Sequence, residues 1–345
     1  MSNPYPLVFE PILKEKVWGG RRLEGLGKTL PGGGTYGESW ELADLAATSA
    51  SGGGGGAALS VVRDGASAGR TIGELIGAWG EDLLGSRGME RAGEFGESTG
   101  SDRPVFPLLL KYLDAREHLS VQVHPSPAYC AAHPGAHLKT ESWYVVEAEG
   151  VTMPDGSPQE PAVFKGMRQG LTREGFAEAV RTGAVAGELL SELAVPGVCH
   201  TLPSGTLHAL GAGVLVAEVQ TPSDTTFRVY DWTAEYKRPE RELHVEQALG
   251  CLDFENPATE PAVDATRGGR AAWTDYYTID AVREPAGLEA GQAAAVMVIG
   301  GGARLVWSGG EVELAQGETA LVPASVAGGA SLEGEGLHAL LVGIA

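Results

Sequence analysis

The chain is poor in cysteine and in basic residues, and it has no long apolar run. Each shortage narrows its chemistry. Its 345 residues include three cysteines, Cys130, Cys199 and Cys251, none in a C-x-x-C pair, which excludes zinc-ribbon and thioredoxin-type redox motifs. So few thiols, and an odd number, fit a reducing cytoplasm. Lys and Arg total 25 against 45 Asp and Glu, a formal net charge of −20. Nucleic acid and anionic membrane both demand basic surface, so neither is expected as a partner. No stretch of about 18 apolar residues occurs, so no membrane span is expected. The opening MSNPYPLVFEPILKEKVWGG has no basic segment followed by an apolar core, so it does not read as a secretory signal. Phosphate-cradling glycine loops are missing as well. No P-loop occurs, and the glycines at 52–56 lack a flanking lysine.

Glycine and proline are abundant instead. The 51 Gly and 20 Pro make up a fifth of the chain, against roughly 12% in an average protein. That excess favours short strands and turns over long helices. LLLKYL (108–113), LSVQV (119–123), WYVVE (143–147), VLVAEVQ (214–220) and TFRVYDW (226–232) read as strands, as do AVMVIG, ARLVWS, EVELA, TALVPA and LHALLVGI after residue 290. A helix is expected over about 71–84, opened by the capping box Thr71 to Glu74. Residues 172–193 read as one or two further helices anchored by Phe176, Val180, Leu189, Leu190 and Leu193. Loops are expected at 51–60 and 87–103, and a linker at 254–270. The expected fold is mainly β, as two β-domains. The first, 1–253, carries helical segments near 71–86 and 172–193, and the second, smaller one spans 271–345.

Three segments concentrate chemistry. LSVQVHPSPAY sets Gln122 and His124 two residues apart, on one face of a strand. KTESWYVV places Glu141 at a strand's start. LPSGTLHAL brings His208 behind a glycine turn, as P-x-G-x-x-H. This order resembles the metal site of a cupin, a small jelly-roll barrel, with Gln122 standing where the first histidine usually stands. Two nitrogen and two oxygen donors suit Zn²⁺, with Fe²⁺ and Mn²⁺ also compatible by donor type. His118, His133, His137, His200 and His338 read as solvated, capping or packing residues. His338 is the only histidine beyond residue 250, so a similar site in the second domain is excluded.

Further motifs, KEKVWGGRRL, YGESWELAD, FPLLLKYLDAREHLSVQVHPSPAY, EVQTPSDTTFRVYDW and RELHVEQAL, lie in order over roughly residues 10–250. Together the segments resemble the type I mannose-6-phosphate isomerase (phosphomannose isomerase) family in its shorter bacterial form. The resemblance implies a double cupin whose second barrel is degenerate, one bound Zn²⁺ per chain, and interconversion of mannose 6-phosphate and fructose 6-phosphate. By motif match, Gln122, His124, Glu141 and His208 are the metal ligands. Arg228, Lys139 and Glu218 belong to the catalytic set, and Ser120 and Lys111 to the phosphate. The choice of base between Glu218 and Lys139 stays open. Trp18, Trp40 and Trp143 are expected in the core or the cleft wall. Glu38 and Glu41, three residues apart, make a weak glycosidase pair. The competing readings are a cupin isomerase for another sugar, a non-catalytic sugar-binding bicupin and an iron-dependent dioxygenase. A cytoplasmic monomer acting on a small sugar phosphate is the default expectation.

Overall fold

A computed structural model describes residues 3–45, 57–255 and 260–345. The glycine run expected to form a flexible loop, and residues 256–259 of the expected linker, lie outside these residues, and the rest of that linker carries the strand Val263–Asp264 and the start of Gly269–Trp273. The fold is mainly β, and the strand pairings described below are antiparallel.

Two sheets form the first barrel. One has seven strands in the order Val263–Asp264, Val198–Leu202, Glu141–Ala148, Val214–Gln220, Leu109–Ala115, Ile12–Gly20 and Tyr36–Leu42. The facing sheet has five: Leu189–Leu193, Ala162–Met167, His208–Leu210, Val121–Val123 and Phe227–Tyr230. The central strands of the larger sheet are buried on both faces, which is why VLVAEVQ is nearly continuously apolar. Leu215, Ala217 and Val219 point outward into one core; Val214 and Val216 point inward to Trp143, Val163 and Leu210. Glu218 and Gln220 continue the inward file by alternation. The barrel interior therefore turns from apolar to polar towards one end.

The second barrel joins a six-stranded sheet, in the order Leu7–Val8, Thr319–Val322, Ala294–Gly300, His338–Ile344, Tyr277–Val282 and Gly269–Trp273, to a four-stranded one. Its first strand comes from the chain's beginning, with Leu7 registered on Leu321. The outer face of the larger first sheet packs on this six-stranded sheet, so Tyr112, Tyr144, Tyr277, Met297 and Leu340 share one core. Ser142 Oγ and Tyr277 Oη lie 3.0 Å apart, and Tyr144 Oη meets His338 Nε2 at 2.9 Å.

Two expectations need correction. The segment 87–103, expected as a loop, is helical as far as Ser98: a helix spans Ile72–Trp79 and another Glu81–Ser98, bent at Gly85 (φ 75°). Its glycines serve close packing. A Cβ on Gly96 would lie 2.6 Å from the Arg103 carbonyl oxygen, and one on Gly88 would crowd Leu84 and Ile344. Arg87–Glu90 and Arg91–Glu94 pairs support the exposed face. Secondly, the helix in 172–193 stops at Thr182, where Gly183 takes a left-handed conformation. Leu189–Leu193 is an edge strand instead, on which Leu190 and Leu193 are exposed rather than anchors. Among the described residues no helix is long and apolar enough to cross a membrane.

Candidate active site and metal centre

Two cross-strand rows face each other at the polar end of the first barrel. On the five-stranded sheet, Lys165 registers on His208, His208 on Gln122, and Gln122 on Arg228. On the seven-stranded sheet, Lys111 registers on Glu218, Glu218 on Trp143, and Trp143 on His200. Glu141 begins its strand one inward position before Trp143, opposite Gln220. The alternation that builds a barrel core here brings ionisable groups from distant segments together.

His124, Glu141 and His208 form a buried cluster whose potential ligand atoms all lie within 4.8 Å of one another. His208 Nε2 is 3.1 Å from Glu141 Oε1, and His124 Nε2 is 3.4 Å from Oε2. Each imidazole is oriented from behind. The Nδ1 of His124 lies 2.9 Å from the Thr225 carbonyl oxygen, and that of His208 lies 2.8 Å from the Thr206 carbonyl oxygen. A carbonyl can only accept, so Nδ1 carries the proton and Nε2 turns a bare lone pair inward, as a metal ligand requires. Burial, then the Lys139 charge, pushes His124 down to about 3, so it is neutral. Burial pushes the Glu141 carboxyl up, but the Lys139 ammonium, 2.7 Å away, outweighs it and holds it well below the usual carboxylate range. His124 Nε2 and both Glu141 oxygens are buried without a hydrogen bond. Lys139 balances the Glu141 charge from one side, while the imidazole lone pairs that face the carboxylate are left for a cation to satisfy.

Gln122 completes the set. Its side-chain amide lies 3.2 Å from His208 Nε2, and Ser120 Oγ donates to its oxygen at 3.2 Å. Rotating the amide by half a turn presents the oxygen to the cluster. The Pro203–Gly205 turn explains the glycine ahead of His208. Thr206 N–H bonds the Pro203 carbonyl oxygen, and Gly205 has φ 88° with the Cys251 carbonyl oxygen 3.0 Å from where a Cβ would stand. Only glycine meets both conditions. The donors present thus fit one divalent cation with nitrogen and oxygen preference.

A cavity of about 350 Å³ opens beside the cluster. Ser120, Gln122, Lys111, Lys139, Glu218 and Arg228 line it, with Trp18, Trp40 and Trp143 as walls. Lys111 Nζ donates to Gln220 Oε1 at 2.7 Å and lies 3.0 Å from Glu218 Oε1. Burial alone would depress this lysine, but Glu218 and Glu38 outweigh it and raise it above its ordinary value. Trp143 Nε1 donates to Glu218 Oε2 at 2.8 Å. Arg228 Nη1 donates to the Glu242 carbonyl oxygen at 2.9 Å, while its Nε is buried without a partner. Burial, then nearby Arg241, lowers Arg228 to about 10.

Sequence reasoning missed Lys16, Asp224, Thr226 and Arg241, which also line the cavity. Glu38 lines it too, ion-paired to Lys16 at 3.0 Å, whereas Glu41 turns away to Lys28 at 2.7 Å. The two carboxylates therefore serve separate ion pairs. The alternation of Glu38 with Trp40 was a usable signal. Arg241 sits in an irregular polar segment with none. Among the other histidines, His118 Nδ1 accepts from Ala212 N–H at 2.8 Å and His133 stacks on Tyr129. His200 is fully buried with neither ring nitrogen hydrogen-bonded.

No family model matches the chain. The mannose-6-phosphate isomerase ManA of Bacillus subtilis is 36% identical over 253 residues, which cover 72% of this chain and 68% of that protein. The crystal structure of the mannose 6-phosphate isomerase from Bacillus subtilis superposes with a TM-score of 0.74 at 25% identity, over 98% of this chain and 99% of that one. A zinc-bound mannose 6-phosphate isomerase shares the fold, with a TM-score of 0.70 at 16% identity over 98% and 99% of the two chains.

Proposed function

The chain belongs to the mannose-6-phosphate isomerase family, and on that premise we propose that it interconverts mannose 6-phosphate and fructose 6-phosphate in the cavity beside His124, Glu141 and His208. The observation that carries this reading is the donor set. Two unprotonated imidazole nitrogens converge with a buried carboxylate beside a cavity lined by lysine and arginine. Gln122, His124, Glu141 and His208 hold one Zn²⁺. Zinc supplies a Lewis acid that polarises the sugar's carbonyl oxygen.

The remaining chemistry belongs to side chains. In the aldose-to-ketose direction a proton leaves C2 and one is delivered to C1, while a proton passes from O2 to O1. Glu218 and Lys139 are the two groups placed to carry the carbon-bound proton. Glu218 is oriented by Trp143 and Lys111, and Lys139 is held against Glu141. Arg228, charged throughout the physiological range and with an unpartnered buried Nε, steadies the oxyanion that develops. Lys111 and Ser120 contact the phosphate. The tryptophan walls exclude water and strengthen every charge interaction inside. We further propose a catalytic barrel drawn mainly from 1–253, with the Val263–Asp264 strand added, and a second barrel drawn mainly from 271–345, with the Leu7–Val8 strand added, acting as a monomer in the cytoplasm without a nucleic-acid or membrane partner.

A coupled assay on purified protein tests this. Mannose 6-phosphate is turned over, a chelator abolishes the activity, and Zn²⁺ restores it. Zinc-loaded protein without turnover overturns the reading.

A further inference from the structure

The cations of the cavity differ in how far carboxylates compensate them. Lys16 is paired with Glu38, Lys111 with Glu218 and Lys139 with Glu141. Each of those lysines meets the substrate with its charge largely balanced. The surplus lies on the wall formed by the Phe227–Tyr230 strand and the segment after it. There Arg228 makes no ion pair among the described residues, and Arg241, which lines the same cavity, shares its one carboxylate, Asp231, with Arg238.

Arg241 is held in a particular way. Its Nε donates to Asp231 Oδ2 at 2.6 Å and its Nη2 donates to Asp231 Oδ1. That bidentate grip fixes the guanidinium plane and leaves Nη1 with no hydrogen bond among the described residues. Asp231 is itself buried and is steadied from behind by Arg238, whose Nη1 lies 3.8 Å away. Arg238 in turn bonds Glu117 and the His118 carbonyl oxygen. A guanidinium clamped on one edge, open on the other and beside a second guanidinium suits a ligand with several oxygens and more than one negative charge. Arg241 is about 30% exposed at its side chain, and Arg228 is buried. Arg241 therefore stands nearer the mouth.

Resting on the isomerase reading, we propose that Arg241 binds the phosphate of the sugar phosphate at the mouth of the cavity, adding to Lys111 and Ser120, and that Asp231 is the positioning residue that aims it. The phosphate then discriminates a phosphorylated sugar from a free one, because only a dianion repays crowding two arginines on one wall.

The test uses zinc-loaded protein and inorganic phosphate as the probe, a competitive inhibitor of mannose 6-phosphate turnover. In Arg241→Met, the inhibition constant for phosphate and the KM for mannose 6-phosphate rise together by about tenfold to a hundredfold, as expected for one lost charge-assisted contact. The kcat changes far less. Asp231→Asn moves both constants the same way, by less. Arg241→Lys keeps the charge and a partner for Asp231 but not the fork, so its constants rise only a few-fold; this variant decides the matter if Arg241→Met does not fold. An unchanged phosphate inhibition constant in folded, zinc-loaded Arg241→Met or Arg241→Lys overturns the proposal. Phosphorus NMR of phosphate with wild type and variant separates the two hypotheses. Wild type that binds phosphate through Arg241 but turns over no mannose 6-phosphate refutes the isomerase reading and leaves the anion seat standing.

Discussion

Replacing Glu38 by glutamine removes a charge from the cavity rim while keeping the side chain's shape and an acceptor for the Trp40 indole. The carboxylate is 8% exposed, 3.0 Å from Lys16 Nζ, and accepts from Trp40 Nε1. Burial pushes its pKa up. Lys16, Lys111 and the indole N–H outweigh burial and hold it at about 2, below the ordinary 4.5. A gap of about 2.5 units at about 1.4 kcal/mol each corresponds to roughly 3 kcal/mol of stability near neutral pH. The sign follows from linkage. The folded pKa lies below the unfolded one, so the native state binds fewer protons. The contribution is complete above about pH 4.5 and is lost as the pH falls towards about 2. The assay is urea denaturation of wild type and Glu38→Gln, both metal-free so that pH-dependent metal loss does not intrude. The variant is expected to be less stable by roughly 3 kcal/mol near neutral pH, the deficit shrinking to about 2 kcal/mol near pH 3.5. A deficit that stays constant over that range, or one under about 1 kcal/mol at neutral pH, refutes the account of Glu38 as a charge stabilised by Lys16 and Lys111.

Two predictions address the chemistry. His208→Ala leaves the fold intact but abolishes zinc binding and turnover, and normal zinc content by metal analysis removes His208 from the ligand set. Arg228→Ala keeps the metal and lowers kcat by about a hundredfold or more, in line with removing a donor to a developing oxyanion; an unchanged kcat assigns Arg228 a role outside the reaction.

The strand-rich character, the tight turns and the three segments that meet at the His124, Glu141 and His208 cluster were legible because strand alternation and glycine turns are local signals. LSVQVH announces Gln122 and His124 on one face, and P-x-G-x-x-H announces the turn that Gly205 makes. The helix through Ser98 was not legible. RGMERAGEFGES reads as loop by composition, yet Gly88 and Gly96 sit where neighbouring side chains and backbone leave no room for a Cβ. Tertiary packing overrode propensity there. The edge strand at Leu189–Leu193 was hidden for the converse reason, its leucines suggesting a buried face that an edge strand does not provide. In the site, residues two apart on a strand were readable, whereas Lys16 and Arg241 are held at the cavity by ion pairs to Glu38 on the paired strand and to Asp231 ten residues away. Asp231 carries no mark that names it.

The registration of Leu7 on Leu321 has a consequence for how the protein comes into being. A ribosome exports the first strand long before the residues that will pair with it exist, so that strand waits for roughly three hundred more residues to emerge. The six-stranded sheet therefore closes only after its Thr319–Val322 and His338–Ile344 strands have been made. Contacts so far apart in sequence are slow to form, and an unpaired apolar strand is exposed in the interval. That sheet is the one that backs the Glu141 strand through Tyr277 and His338. An interrupted chain can carry Gln122, His124, Glu141 and His208 and still lack the wall against which the Glu141 strand is braced.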